Sequence, residues 1–247
     1  MPLVVAMLAW AVVAASVAAT LDAATVPVVV IDAGHDRKPN PAREPIGPGS
    51  AEPKIKDGGG TRGVATGTPE HRVNLQISLL LRDELEGRGY CVVMTRTTSS
   101  GRSIGNVARA RIANRARAAL FVRIHADGSA DRSRHGSSML YPAFHRGWTD
   151  DVLPESKTAA RVIQRELVGA IGSRDLGTVA RSDLTGFNWS DVPVVLAEVG
   201  FLSNPGEDRR LTRRAYQRRI ARGLAQGIER TVKTASNDSP GATVRRP

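Results

Sequence analysis

At 247 residues, with 41% hydrophobic and 24% charged side chains, the chain suits one large domain with its own core. A single cysteine, Cys91, excludes an intramolecular disulfide. The formal charge of +11 invites a nucleic-acid reading, but Tyr216 alone is available for base stacking in the most basic stretch, and an N-terminal export signal argues against it.

Residues 1–21 carry no charged side chain, and the Ala-rich run Leu3–Ala19 ends in small residues (Val17-Ala18-Ala19, Ala23-Ala24). This pattern reads as a secretory leader over 1–24, short and weakly apolar for a membrane span. A folded domain is expected over 25–233 and a disordered tail, rich in Ser, Asn, Asp, Pro and Gly, over 234–247.

Val26–Ile31 reads as a first strand. Residues 36–68 hold Lys38-Pro-Asn-Pro41, Pro45-Ile-Gly-Pro48 and Asp57-Gly-Gly-Gly60, which predicts a long irregular loop, a flap bordering the functional site. A helix starts at Thr68-Pro69, with Thr68 as cap, buries Val73, Ile77, Leu80 and Leu81, and stops at Gly87 and Gly89. Tyr90–Thr95 is a strand that places Cys91 in the core as an inert thiol. A helix over Ser103–Arg117 and a strand over Leu120–Ile124 follow. Further on come a strand at Ser137–Tyr141 and a helix from Pro154 to Ile171 with Ala160, Ile163, Leu167 and Ile171 inward. The segment Asp175–Trp189 is ambiguous, with room for one short strand, and the strand at 193–198 precedes a terminal helix.

In that terminal segment, residues 207–233 hold nine Arg or Lys against three acids, and Ile220, Leu224 and Ile228 recur at every fourth position. An amphipathic helix with a solvated arginine face is expected. Strands alternating with helices predict an α/β class: a single three-layer α-β-α domain around a mostly parallel twisted sheet.

Three apolar strands end on chemistry-bearing residues: Val28-Val29-Val30-Ile31-Asp-Ala-Gly-His35, Leu120-Phe-Val-Arg-Ile-His125 and Val194-Val-Leu-Ala-Glu198. Ligands and catalysis gather at strand carboxyl ends in open α/β sheets. Two imidazoles and a carboxylate there fit a metal-assisted hydrolase, in which three protein ligands leave a fourth position for water. Alone, either histidine would read as a hydrogen-bonding loop residue; together, His35 and His125 read as ligands. The remaining histidines, His71, His135 and His145, read as surface residues. Spacing does not choose the carboxylate ligand among Glu70, Asp32, Asp36 and Asp127. Glu198 is the candidate general base, because a carboxylate at the end of an apolar strand costs several kcal/mol in desolvation (roughly, per ion) unless paired.

The segments Val30-Ile-Asp-Ala-Gly-His35, Glu70-His-Arg-Val-Asn-Leu75, Arg109-Ala-Arg-Ile-Ala-Asn114, Ile124-His-Ala-Asp127 and Pro193-Val-Val-Leu-Ala-Glu-Val-Gly-Phe-Leu-Ser-Asn204 resemble the zinc-dependent N-acetylmuramoyl-L-alanine amidases of the amidase-3 family. They keep the family's order over about 26–232, and the leader and arginine content resemble actinobacterial single-domain members. The resemblance implies one Zn2+ per chain held by His35, Glu70 and His125, with Glu198 catalytic. It also implies cleavage of the amide between the lactyl group of N-acetylmuramic acid and L-alanine of the stem peptide. Arg123 departs from the pattern, standing where family members usually have a small polar residue.

The expected partners are therefore peptidoglycan and muropeptides, met by an exported monomer in the periplasm or cell wall, with no nucleic acid and no stable membrane insertion. Some family members carry an inserted helix that plugs the zinc site. The stretch between the strand at 137–141 and the helix near Pro154 is too short for one, so no obligatory activator is expected. The alternatives are a zinc peptidase cutting within the stem peptide and a non-catalytic wall-binding protein.

Overall fold

The computed structural model describes residues 26–101 and 103–238. The leader expected over 1–24 lies outside them, as do residues 239–247. The elements in chain order are β1 (Val28–Ala33), β2 (Asn40–Pro45), β3 (Pro53–Asp57), α1 (Glu70–Glu86), β4 (Cys91–Met94), α2 (Asn106–Arg115) and β5 (Leu120–Asp127). There follow β6 (Ser137–Pro142), α3 (Leu153–Ile171), β7 (Asp175–Arg181), α4 (Thr185–Asn188), β8 (Val194–Phe201), α5 (Pro205–Leu211) and α6 (Arg214–Asp238).

Six strands form one sheet in the order β4-β1-β5-β8-β6-β7. All pairings are parallel except β6 with β8. Alternation along the central strands splits the core into two. Val29, Ile31, Leu120, Val122, Ile124, Val195 and Ala197 face α1, α3 and α6; Val30, Phe121, Val194 and Leu196 pack with Ala110 and Ala113 of α2 and Phe187 of α4. Near-continuous apolar strands are what a sheet covered on both faces requires. Each such side chain, fully buried, contributes about 1.5–3 kcal/mol. The three-layer α-β-α arrangement with a mostly parallel sheet is thus present.

Helix α6 buries Ile220, Leu224 and Ile228, as the four-residue spacing predicts. Its close packing on α3 needs Gly227, where a Cβ would come within 2.6 Å of the Ile163 Cα. The arginine face is less free than expected, because Arg230 pairs with Glu166 of α3 at 2.6 Å and Arg222 with Glu84 of α1 at 3.4 Å.

Four expectations change. The stretch 36–68 is not wholly irregular: β2 and β3 pair antiparallel, and their proline and charged residues belong to a small separate hairpin with exposed positions. Thr68 does not cap α1. The N-cap is Pro69, and the Glu70 side chain accepts from Thr61 N, at 2.9 Å. Cys91 is exposed, because β4 is an edge strand and Cys91 opens it. Helix α6 continues to Asp238, past the expected start of the tail at 234. Between β6 and α3 the chain makes only turns, and Trp148 stacks on His145 with ring centroids 3.6 Å apart. The Trp148 indole also donates to Pro48 O at 2.9 Å, which pins the hairpin tip.

Beneath the site, β1, β5 and α2 are tied by one fully buried carboxylate. Asp32 receives Arg109 of α2, Nε of Arg123 at 2.9 Å, and the Thr95 hydroxyl at 2.6 Å. Burial alone would raise the Asp32 pKa, but Arg109 and then Arg123 hold it far below its ordinary 3.8. A carboxylate depressed by folding stabilises the fold above its unfolded value and loses that effect as pH falls. The Asp32 contribution is therefore complete near neutrality and shrinks as pH drops through 3.8. Asp32→Asn leaves two buried guanidinium groups without their anion, and a loss of about 3–5 kcal/mol is expected in urea unfolding at neutral pH. The gap between variant and parent narrows in unfolding series below pH 3.8.

Candidate active site

β1, β5 and β8 are adjacent in the sheet, so the three strand ends that carry His35, His125 and Glu198 meet. His125 and Glu198 are direct register partners. Gly34 N donates to Ile124 O at 3.0 Å, which brings His35 beside His125, their ring centroids 4.9 Å apart. Glu70 comes from the first turn of α1, on the other side of these rings.

The turn after β1 is unusual. His35 has φ +58°, a left-handed conformation that costs a non-glycine residue roughly 1–2 kcal/mol. Its carbonyl neighbours hold it in place. Arg96 donates to Ala33 O, Gly34 O and His71 O; Arg109 donates to Ala33 O and His35 O; Asn74 donates to Gly34 O. A Cβ on Gly34 would come within 2.3 Å of the His125 ring, so this position must lack a side chain.

Among the described residues, the group able to hold a metal ion is His35, Glu70 and His125, whose ligand atoms lie within 4.8 Å of one another. Glu70 Oε1 sits 3.3 Å from His35 Nε2 and 3.1 Å from His125 Nδ1, while Oε2 accepts from Thr61 N. Burial would raise the Glu70 pKa, but the bonds to His125 and His35 keep it well below the usual carboxylate range. His125 is pushed down chiefly by burial, which favours the neutral, ligand form. For His35 burial also acts downward, but the hydrogen bonds to Asp57 and Glu70 prevail and lift it to about 9. His125 Nε2 is buried with no hydrogen-bond partner among the described residues. Two imidazoles and an ionised carboxylate with ligand atoms this close together fit a divalent cation.

Of the other carboxylates weighed from the sequence, Asp32 is consumed by its arginines, Asp36 accepts from Arg37 N at 2.7 Å, and Asp127 accepts from Gly128 N at 2.7 Å on the groove wall. Arg123 reaches away from the metal group toward Asp32 and Asn106. Sequence reasoning missed Asp57, whose Oδ1 lies 2.6 Å from His35 Nδ1. A carboxylate on the far nitrogen of a ligand histidine fixes its tautomer and orientation. The only available signal was an aspartate preceding three glycines. The 36–68 segment, expected to border the site, supplies this contact to His35.

Glu198 lies in the same cavity, an open groove of about 640 Å³ lined also by Thr61, Asp127, Ser129 and Ser203. Its Oε2 has no hydrogen-bond partner among the described residues, and its pKa is well above the ordinary value, first through burial and then through Glu70 and Asp127. The motif after it secures the strand end. Asn204 caps α5, Glu207 accepts from Phe201 N at 2.7 Å, and Asp208 accepts from Ala65 N and Thr66 N.

The N-acetylmuramoyl-L-alanine amidase model of the amidase-3 family matches residues 29–230. Among curated proteins, the uncharacterised YqiI of Bacillus subtilis is 30% identical over 67% of this chain and 76% of its own length. The N-acetylmuramoyl-L-alanine amidase Rv3717 of Mycobacterium tuberculosis is 26% identical over 81% of this chain and 84% of its own. The crystal structure of the amidase Ami1 from Mycobacterium smegmatis superposes with a TM-score of 0.77 at 25% identity, covering 84% of this chain and 97% of that one. With the family match running through all of the sheet and its flanking helices, the chain belongs to the amidase-3 family of N-acetylmuramoyl-L-alanine amidases.

Proposed function

We propose that this amidase hydrolyses the bond between the lactyl group of N-acetylmuramic acid and L-alanine at a zinc ion held by His35, Glu70 and His125, with Glu198 as proton acceptor. The observation that carries the reading is the buried Glu198 oxygen, without a hydrogen-bond partner among the described residues, in register beside a metal-capable His-Glu-His group. Bound there, zinc would supply Lewis acidity and draw the pKa of a water ligand toward about 7.

The protein groups have distinct tasks. Asp57 orients His35 through Nδ1 and leaves Nε2 turned toward Glu70. Asn74 and Thr61 hold the Glu70 carboxylate from two sides. Burial keeps Glu198 a stronger base than a solvated carboxylate, suited to taking a proton from the attacking water and passing it to the leaving nitrogen. The open, polar groove gives a hydroxyl-rich glycan room beside the scissile amide.

The leader over 1–24 would direct export to the periplasm or cell wall, leaving a monomeric catalytic unit over 25–233 and a tail beyond it. No helix among the described residues is long and apolar enough to cross a membrane. The unit acts without an obligatory activator, a reading supported by the turns between β6 and α3, where no described helix covers the groove.

Four outcomes follow from these roles. His35→Ala or His125→Ala abolishes stoichiometric zinc by elemental analysis and activity with it. Glu198→Gln keeps zinc while turnover of a muramoyl-peptide falls at least about 10²-fold, because the amide cannot accept the proton. Asp57→Ala weakens zinc about 10–100-fold in competition with a chromogenic chelator. Purified zinc-loaded protein releases intact stem peptide from a soluble muropeptide with no added partner, as read by product mass; cleavage inside the peptide would reject the assigned bond.

A further inference from the structure

Two cavities meet at His35, His125 and Glu198. One is the open groove. The other, about 220 Å³, extends toward β3 and α2, and its walls differ in character. Ile55, Leu140, Leu184 and Leu196 are apolar, whereas Lys56, Arg109, Arg123 and Arg181 are cationic.

Carboxylates stand among these cations: Asp57 and Glu198 line the same pocket, and Glu44 lies near the Lys56 stem. Asp32 answers both Arg109 and Arg123, Asp183 answers both Lys54 and Arg181, and Asp57 is engaged by His35. Lys56 is half-buried, and its ammonium has no ion-pair or hydrogen-bond partner among the described residues. Its stem lies over Gly105 near the Glu44 carboxylate, since a Cβ there would come within 2.7 Å of Glu44 Oε2 and 3.0 Å of Lys56 Cδ; Glu44 itself accepts from Asn106 N and Val107 N. Asn106 fixes the neighbouring backbone, donating to Lys56 O at 2.8 Å while accepting from Arg123. An ammonium without a partner at a pocket that also has apolar walls favours an anion.

We propose that this pocket is the subsite for a free carboxylate on the leaving stem peptide, selected by Lys56. The assignment rests on the amidase reading of the adjoining site. N-acetylated sugars with their lactyl group in amide linkage carry no anion, so the substrate's negative charge belongs to the peptide. With about a third of the groove's volume, the pocket accepts a carboxylate branching from the chain while the chain itself continues outside. Arg123, the departure from the family pattern, lines the same pocket and shares the single charge of Asp32 with Arg109.

The test uses two synthetic muramoyl-peptides identical except that the second residue carries a free α-carboxylate or its carboxamide. The carboxylate form is expected to have a kcat/KM about 10–100-fold higher, the scale of one charged hydrogen bond. Lys56→Met reduces that ratio toward one, mainly through KM, and Lys56→Arg restores it. A merely structural Lys56 would move both substrates together. Equal rates, or preference for the carboxamide, overturn the subsite. Calorimetry with the two released peptides separates this claim from the reaction itself. If neither muramoyl-peptide is cut at the lactyl amide, the proposed reaction falls, and tighter binding of the carboxylate peptide, lost in Lys56→Met, still upholds the subsite. Equal binding of the two peptides rejects it.

Discussion

Side chains alternate along a strand, so His125 and Glu198 can stand together only if β5 and β8 pair at one register. A slip of one residue would turn Glu198 to the opposite face, among Val195, Ala197 and Val199 and against α1, α3 and α6. The apolar alternation enforces the register, because the same slip would expose or misplace every core residue of β8. Packing on two faces thus positions a carboxylate beside an imidazole in register, with no hydrogen bond between them among the described residues. The turn at His35 has the same logic, since it brings the first histidine over the end of β5 only in a left-handed conformation held by Arg96, Arg109 and Asn74.

Charge is concentrated under and around this arrangement, and its distribution separates support from chemistry. Asp32 has two guanidinium partners and is inert. Glu70 has backbone, amide and imidazole partners on both oxygens, which fixes it as an anion. Glu198, like Asp57, keeps a buried oxygen with no partner among the described residues, and burial raises its affinity for protons. Three buried carboxylates within one end of the sheet therefore play three parts, decided by what each one touches.

Much of this was legible in the chain. The runs Val28–Ile31, Leu120–Ile124 and Val194–Leu196 are apolar enough to read as covered strands, and His35, His125 and Glu198 follow from where those runs stop. The ligand carboxylate was not legible from spacing, because Asp32 and Glu70 differ only in their neighbours in space; the family resemblance pointed to Glu70. The β2–β3 hairpin escaped notice because Asn40-Pro-Ala-Arg-Glu-Pro45 lies at the surface and needs no apolar alternation. Asp57 was hidden with it, since a carboxylate before glycines looks like any turn. Cys91 was misplaced for a related reason: sequence does not say which strand is outermost, and β4 is.

The last strand in the chain occupies the middle of the sheet. Until residues 194–201 are present, β4-β1-β5 and β6-β7 are two fragments with no shared ladder, because β8 alone joins them. Its pairing closes loops from residues far apart in sequence, which makes it a slow, late event in assembly. A chain that has not yet placed β8 can therefore hold both histidines and Glu70 and still lack Glu198 beside them. Strand order thus makes the groove complete only once β8 has entered the sheet, whatever formed before it.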